Sequence, residues 1–177
     1  MPNKKGEKIV DNKMFCFQCE QTAGCRGCTG SAGVCGKTAD TANLQDELTG
    51  ALISLSMNCT DISEEMAKLI IDGLFATITN VNFDDSEIKK LTQAVMEING
   101  RESYDMKKIW NEENEDIRSL KSLILFGVRG VAAYAYHAAA LGYHDSGVDN
   151  FLAKALRVIG TENSADILLG TAMETGK

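Results

Sequence analysis

Residues 16–35 read CFQCEQTAGCRGCTGSAGVC and contain five of the six cysteines of this 177-residue chain. Six glycines or alanines lie between these cysteines, and Val34 is the only aliphatic residue there larger than alanine. A segment of this composition cannot order itself by burying hydrophobic side chains, so another interaction has to hold it. Clustered thiols in such a segment favour the ligation of a metal.

The cysteines follow the spacing Cys16-x2-Cys19-x5-Cys25-x2-Cys28-x6-Cys35. Each C-x-x-C pair brings two soft thiolate ligands close enough to hold one metal ion or neighbouring irons of one cluster. Iron–sulfur clusters are commonly held by four thiolates, so four of these five cysteines suffice. The intervening glycines let the backbone wrap closely and direct N–H groups at sulfur. The spacing therefore favours an iron–sulfur loop.

Two other interpretations stay open on spacing alone. A four-thiolate zinc site also uses two C-x-x-C pairs, but zinc ribbons usually separate the pairs by about 15–20 residues. In this chain the gap between the pairs is five residues, and a fifth cysteine is present. A redox-active dithiol needs only one pair and leaves the other cysteines unused.

The charge balance excludes one class of partner. Asp and Glu outnumber Lys and Arg by 25 to 18, which gives a formal net charge of −7. Such a surface repels phosphate backbones, so no nucleic-acid partner is expected.

The hydrophobic pattern bears on location. Residues 1–13 are polar and contain no secretory signal. The most apolar stretch, residues 120–142, is interrupted by Lys121, Arg129 and His137, so no membrane span is expected. We therefore expect a cytoplasmic protein, in which clustered cysteines indicate metal or redox chemistry rather than disulfides.

From residue 41 onward the sequence predicts an all-α fold. Apolar residues recur at helical spacing, and the chain contains a single proline. The segment 61–64, DISE, predicts the start of one helix, and Gly100 and Gly142 predict the ends of two others. Residues 101–114 give no assignment. The expected helices cover residues 43–57, 61–79, 86–100, 115–141, 146–159 and 164–174.

Three segments are expected along the chain: a polar tail (1–13), a cluster loop (14–40) and a helical bundle domain (41–177). The bundle contains an internal similarity, because leucines 44, 48, 52 and 55 align at a fixed offset with Leu120, Ile124, Val128 and Val131. This similarity predicts two related small bundles, at about 41–100 and 115–175.

Several stretches resemble the hybrid cluster proteins, a family also called prismane proteins or hydroxylamine reductases. The N-terminal ones are MFCFQCEQTA (14–23), GCT (27–29), GVCGK (33–37) and LQD (44–46). The later ones are GLFATITNVNFD (73–84), NEDIRSL within 113–120, and GVRGVAAYAYHAA (127–139). The resemblance extends over residues 14–176, nearly the whole chain.

The resemblance implies that Cys16, Cys19, Cys28 and Cys35 hold one conventional iron–sulfur cluster, with [4Fe-4S] favoured over [2Fe-2S]. Cys25 is additional to the usual pattern of the family and is an alternative ligand. In the family this cluster is thought to relay electrons to a mixed iron–sulfur–oxygen hybrid cluster. The associated reactions are the reduction of hydroxylamine to ammonia and the reduction of nitric oxide.

Members of the family continue into two α/β domains that supply the ligands of the hybrid cluster. Only Cys59 lies outside the N-terminal loop here, so no hybrid cluster and no catalytic residue are expected in this chain. The expected role is electron transfer for a hydroxylamine reductase-like enzyme, with a redox partner protein or the remaining catalytic domains as partners. An exposed cluster loop could also support a homodimer. The alternatives are a stand-alone redox carrier or sensor, and a zinc-stabilised structural module.

Three further residues have chemistry-bearing side chains. Cys59 is predicted to be a packing residue, because free cysteines are commonly buried. His137 and His144 are predicted to be structural histidines rather than metal ligands.

The remaining aromatic and acidic features have simple interpretations. Trp110, Tyr134 and Tyr136 are predicted to be core or interface aromatics. The acidic run at residues 112–116 is predicted to be a solvated helix start, where carboxylates favour the helix dipole. No glycine-rich phosphate-binding motif is present.

Overall fold

The computed structural model describes residues 14–19 and 27–177, so the predicted tail and Cys25 lie outside the described residues. Within the described residues the chain forms seven α-helices and no strand longer than an isolated bridge. The helices are α1 (Ala39–Asn58), α2 (Glu64–Ala76), α3 (Asp85–Asn99), α4 (Lys107–Trp110), α5 (Glu115–Ala140), α6 (Ser146–Thr161) and α7 (Ala165–Glu174). The prediction of an all-α fold is confirmed.

Short polar side chains fix where most of the helices begin. The Thr38 hydroxyl accepts the N–H of Thr41 at 3.1 Å at the start of α1. Asp84, Asn114 and Asp145 cap α3, α5 and α6 in the same way. Such caps satisfy backbone donors that have no partner inside the helix.

The predicted bounds of α2 are wrong at both ends. The helix does not begin at Asp61, because the residue that caps it is Ser63, whose hydroxyl accepts the N–H of Met66 at 3.2 Å. It ends at Ala76 rather than Thr79: Thr77 is the residue that caps it, and Asn80 just beyond has a left-handed backbone with φ of +63°.

The unassigned residues 101–114 contain the one-turn helix α4 and a segment that packs on α1. The Tyr104 N–H donates to the carbonyl of Gly50 at 3.0 Å. A Cβ atom at Gly50 would lie 2.2 Å from the Tyr104 carbonyl oxygen, so only glycine permits this approach. A single turn is too short to show an apolar periodicity, which explains why these residues could not be assigned from the sequence.

Buried apolar residues from all seven helices form one core. Helix α1 lies against α3 and α6, and α5 packs against α2, α6 and α7. Leu48, Leu52 and Leu55 of α1 are fully buried in it. The two predicted halves therefore share a core, and their common origin stays a prediction.

Helix α5 is long and apolar enough to cross a membrane by length and composition, alone among the described residues. It buries Lys121 and Arg129 and contacts four other helices of the bundle. Within its most apolar 18-residue window 28% of the residues are buried, so the helix is only partly covered by the rest of the described bundle.

We predict that Gly50→Ala lowers the free energy of unfolding by about 1–3 kcal/mol, because the new methyl group has to displace the backbone at Tyr104. Gly130→Ala in α5 is the matched control, since no atom lies within 4 Å of its Cβ position. The free energy of unfolding of the control should rise by about 0.5–1 kcal/mol, because alanine has a higher helix propensity than glycine. Urea denaturation followed by far-UV circular dichroism measures the free energy of unfolding of both variants. Equal changes in the two variants would show that the close approach of Tyr104 to Gly50 does not matter for stability.

Candidate metal centre

Four cysteines line a single cavity beside the start of α1. They are Cys16, Cys19, Cys28 and Cys35, the four ligands that the sequence predicted. The other described residues of the lining are Met14, Gly33, Val34, Lys37 and Thr79. No aspartate, glutamate or histidine is among these described lining residues, so the donors available there are soft thiols.

Backbone pairing brings two of these cysteines together. The N–H of Cys16 donates to the carbonyl of Cys28 at 3.0 Å, and the N–H of Cys28 donates back to the carbonyl of Cys16 at 2.7 Å. Residues that exchange both hydrogen bonds lie directly opposite each other, with their side chains on one face. The pairing therefore sets two thiols side by side although they belong to different C-x-x-C motifs.

Gly27 permits this pairing. Its φ is +86°, and a Cβ atom there would lie 2.9 Å from the Phe15 ring and 3.2 Å from the Cys16 carbonyl oxygen. A larger residue would meet both an unfavourable backbone conformation and two contacts that are too short.

A tight turn presents Cys35 to the cavity. The Gly36 N–H donates to the Gly33 carbonyl at 3.0 Å, and the Gly33 N–H donates to the Lys37 carbonyl at 2.7 Å. These bonds close the chain around Cys35 just before Thr38 caps α1. The cysteine turn is thus attached directly to the first helix of the bundle.

The turn after α2 holds the Cys19 side of the cavity. The Thr79 hydroxyl donates to the carbonyl of Gln18 at 3.2 Å and lines the cavity itself. Thr79 lies within residues 73–84, one of the stretches that resemble the family, but nothing in the sequence indicated this contact.

An aromatic cluster docks the first cysteine pair on the bundle. The Phe17 ring meets Trp110 edge-on with centroids 4.6 Å apart, and it meets Phe126 of α5 in the same way at 5.6 Å. Phe15 adds contacts to Phe17 and Trp110. Offset and edge-on aromatic pairs add stability beyond their buried area. The prediction that Trp110 is an interface aromatic is confirmed.

Two buried cations lie beneath Cys16. Lys37 is 1% exposed, and its Nζ donates to Gln45 Oε1 at 2.6 Å and lies 4.0 Å from Cys16 Sγ. The Arg129 guanidinium is also buried, and it donates to the hydroxyls of Thr77 at 3.0 Å and Thr49 at 3.2 Å.

Asp46 is the acidic member of this buried group. Burial raises its pKa to about 6, while Arg129 and Lys37 act to lower that pKa. Burial also lowers the pKa of Arg129 to about 10, against the opposing effect of Asp46 and Cys16. Arg129 therefore keeps its positive charge at neutral pH. A second small cavity is lined by Cys16, Asp46 and Arg129 together with the aromatic cluster.

No sequence pattern assigned a role to these three charged residues. Lys37 and Asp46 belong to the stretches GVCGK and LQD, and Arg129 interrupts an apolar helix. A charged side chain inside an apolar helical stripe was the available signal, because such a residue has to be paired when the helix is buried.

Among the described residues, no group of three or more histidine, cysteine, aspartate or glutamate side chains is arranged to hold a metal ion. Four of the cysteines nevertheless line one cavity, and Cys25 lies outside the described residues.

The other candidate residues lie away from this lining. Cys59 is half-buried against the core at the end of α1, which confirms it as a packing residue. The His144 ring contacts the Asp149 carboxylate, and His137 packs edge-on against Phe75.

Two tyrosines of α5 differ in their surroundings. Tyr136 stacks on Phe75 with centroids 3.9 Å apart. Tyr134 is 82% exposed, so it is not a core aromatic of the described bundle, and its role at an interface stays a prediction.

Fold and site together define a helical protein with a cavity near its N-terminal end that four cysteines line. A sequence model of the Prismane/CO dehydrogenase family matches residues 14–177. The chain therefore belongs to the Prismane/CO dehydrogenase family.

Several curated proteins that this chain resembles carry the name hydroxylamine reductase. The chain is 37% identical to the one from Desulfitobacterium hafniense (strain Y51) in an alignment of 205 positions that covers 93% of this chain and 37% of the relative. Identity is 39% to that of Caldanaerobacter subterraneus subsp. tengcongensis, over 93% of this chain and 37% of the relative. The identity to the hydroxylamine reductase of Methanocaldococcus jannaschii is 38%, over 93% of this chain and 36% of the relative. The chain thus spans little more than a third of the length of these relatives.

We predict that Thr77→Val lowers the free energy of unfolding by about 1.5–3 kcal/mol, because it removes the acceptor of a buried guanidinium N–H. Thr92→Val is the control, since the Thr92 hydroxyl is also buried but bonds only to the Ile88 carbonyl of its own helix. The control should lose less than about 1 kcal/mol. Equal losses in urea denaturation would show that Arg129 does not depend on Thr77.

Proposed function

We propose that Cys16, Cys19, Cys28 and Cys35 hold one iron–sulfur cluster, and that this chain transfers single electrons for a hydroxylamine reductase-like enzyme. The observation that carries the proposal is the shared cavity, in which these four thiols are the metal-binding donors among the described lining residues. Soft thiolates select iron–sulfur clusters, zinc or copper(I) over metals that prefer oxygen ligands.

Cysteine spacing and the family resemblance favour a cluster over zinc. Zinc ribbons usually separate their two C-x-x-C pairs by about 15–20 residues, whereas the two pairs here lie five residues apart. The four cysteines that line the cavity are those that the resemblance implies as cluster ligands. The four-iron form is preferred over the two-iron form on the resemblance of the cysteine motifs to the family.

The exposure of the site suits electron transfer. When bound, such a cluster accepts and releases one electron at a time. All four cysteines are partly exposed, and Val34 at the rim is 64% exposed, so the site lies near the protein surface. The aromatic cluster and the turn at Thr79 hold the opposite side of the site against the helices.

The complete reaction needs a second centre. Reduction of hydroxylamine to ammonia and water consumes electrons and protons in equal numbers. In the proposed enzyme a reduced one-electron carrier protein supplies the electrons, this chain passes them on, and a hybrid cluster elsewhere in the enzyme delivers them to the substrate. The cytoplasmic location and the homodimer stay predictions.

We predict that Cys16→Ser and Cys28→Ser each abolish cluster binding, because a hydroxyl is a poor substitute for a thiolate ligand of iron. Cys59→Ala is the matched control and should keep the wild-type content, since Cys59 packs against the helical core. Iron and acid-labile sulfide are assayed in anaerobically purified protein.

Three results would contradict the proposal. A full iron content in Cys16→Ser would remove this cysteine from the ligand set. Wild-type protein without iron or sulfide would overturn the cluster. A colourless wild-type protein with one zinc ion per chain would establish the structural zinc module instead.

We predict that Gly27→Ala reduces the iron content several-fold, because its methyl group would separate Cys28 from Cys16. Gly30→Ala lies in the same loop and is the control, since its closest neighbour beyond the adjacent residues is 4.0 Å from the Cβ position. Visible absorption and iron assays compare the two variants. Equal iron contents would show that the pairing of Cys16 with Cys28 is not needed to assemble the site.

A further inference from the structure

The charge of Lys37 lacks a direct ionic partner in the described part of the chain. Its Nζ is buried and donates to the neutral amide of Gln45 at 2.6 Å. No ion pair joins it to a carboxylate among the described residues. Burying an ammonium group is costly unless a nearby negative charge compensates it. The sulfur of Cys16, 4.0 Å away, is the candidate for that charge.

Arg129 adds a second buried cation near Cys16. Its hydrogen bonds go to the hydroxyls of Thr77 and Thr49, which carry no charge. Cys16 lines both the thiol cavity and the small cavity that Arg129 and Asp46 also line. Two buried cations and one carboxylate therefore lie close to this cysteine.

This excess of positive charge has a consequence for electron uptake. Each electron that enters a cluster makes it more negative by one unit. A fixed cation nearby stabilises the more negative state, and the effect is large where water is excluded. A fixed anion nearby has the opposite effect. Net charge and hydrogen bonding around a cluster are among the factors that set its potential.

We propose that Lys37 and Arg129 are positioning charges that raise the reduction potential of the cluster at Cys16, and that Asp46 partly opposes them. This inference rests on the proposed function. The buried cations then favour acceptance of an electron from a one-electron donor protein, and the same electron leaves later to the catalytic centre. The residues touch no substrate, and they act only through the charge that they place beside the cluster.

The test is an anaerobic redox titration of the full chain, followed by electron paramagnetic resonance. Lys37→Met keeps the length of the side chain but removes its charge. It should lower the equilibrium constant for uptake of one electron at least tenfold, a shift of about 59 mV to more negative potential. Arg129→Met should shift the potential in the same direction.

Asp46→Asn should shift the reduction potential in the opposite direction. Removing the carboxylate removes a negative charge that partly cancels the two cations, so the potential should become more positive. The titrations are run at pH 8, above the pKa of about 6 of Asp46, so that the wild-type carboxylate is ionised. Lys154→Met is the control, because Lys154 is an exposed lysine paired with Glu174. The reduction potential of the cluster in this variant should equal that of the wild type. A merely structural role would not give opposite shifts in Lys37→Met and Asp46→Asn.

The outcomes separate this inference from the proposed function. Variants that keep their iron and share the wild-type potential overturn the inference and leave the cluster in place. Wild-type protein without iron and sulfide overturns both. If Lys37→Met and Arg129→Met lose the cluster, Asp46→Asn decides, since its carboxylate lies outside the lining of the thiol cavity. A positive shift in that variant supports the inference, and an unchanged or more negative potential overturns it.

Discussion

Two backbone hydrogen bonds between Cys16 and Cys28 are the constraint on which the site depends. The cysteine segment has almost no aliphatic side chains, so it cannot hold its shape by packing against itself. The pairing joins the start of this segment to Cys28, and glycine at position 27 allows the required approach. Phe17 then fixes the paired segment to Trp110 and Phe126 of the bundle. The loop has no hydrophobic core of its own and is held in place by packing against the helices.

Helix α1 connects this loop with the rest of the molecule. One part of its surface buries Leu48, Leu52 and Leu55 in the common core. Its first turns also carry Gln45 and Thr49, whose polar groups contact Lys37 and Arg129. Buried polar groups are tolerated where hydrogen bonds satisfy them, and they then fix a single arrangement of side chains. The same helix therefore serves stability and the electrostatics of the candidate metal centre.

Sequence periodicity predicted the long helices well, because their apolar stripes extend over several turns. It failed where the deciding interaction was local and short. Ser63 rather than Asp61 caps α2, since it is the hydroxyl of Ser63 that reaches the N–H of Met66. Helix α4 is one turn long, and its position depends on the close contact of Tyr104 with Gly50, which no pattern in residues 101–114 reveals.

The sequence by itself determined the helical fold class and, through resemblance to the family, the four thiols that share the cavity. The fold class follows from composition and apolar periodicity, and the choice of these four thiols follows from the resemblance of local motifs to the family. Only the tertiary structure decided that Lys37, Asp46 and Arg129 lie close to Cys16. Arg129 lies far along the chain from that cysteine, and its contact requires α5 to pack beside the cysteine loop. The effect of a charge depends on its burial and its neighbours, and both are set by packing between distant segments.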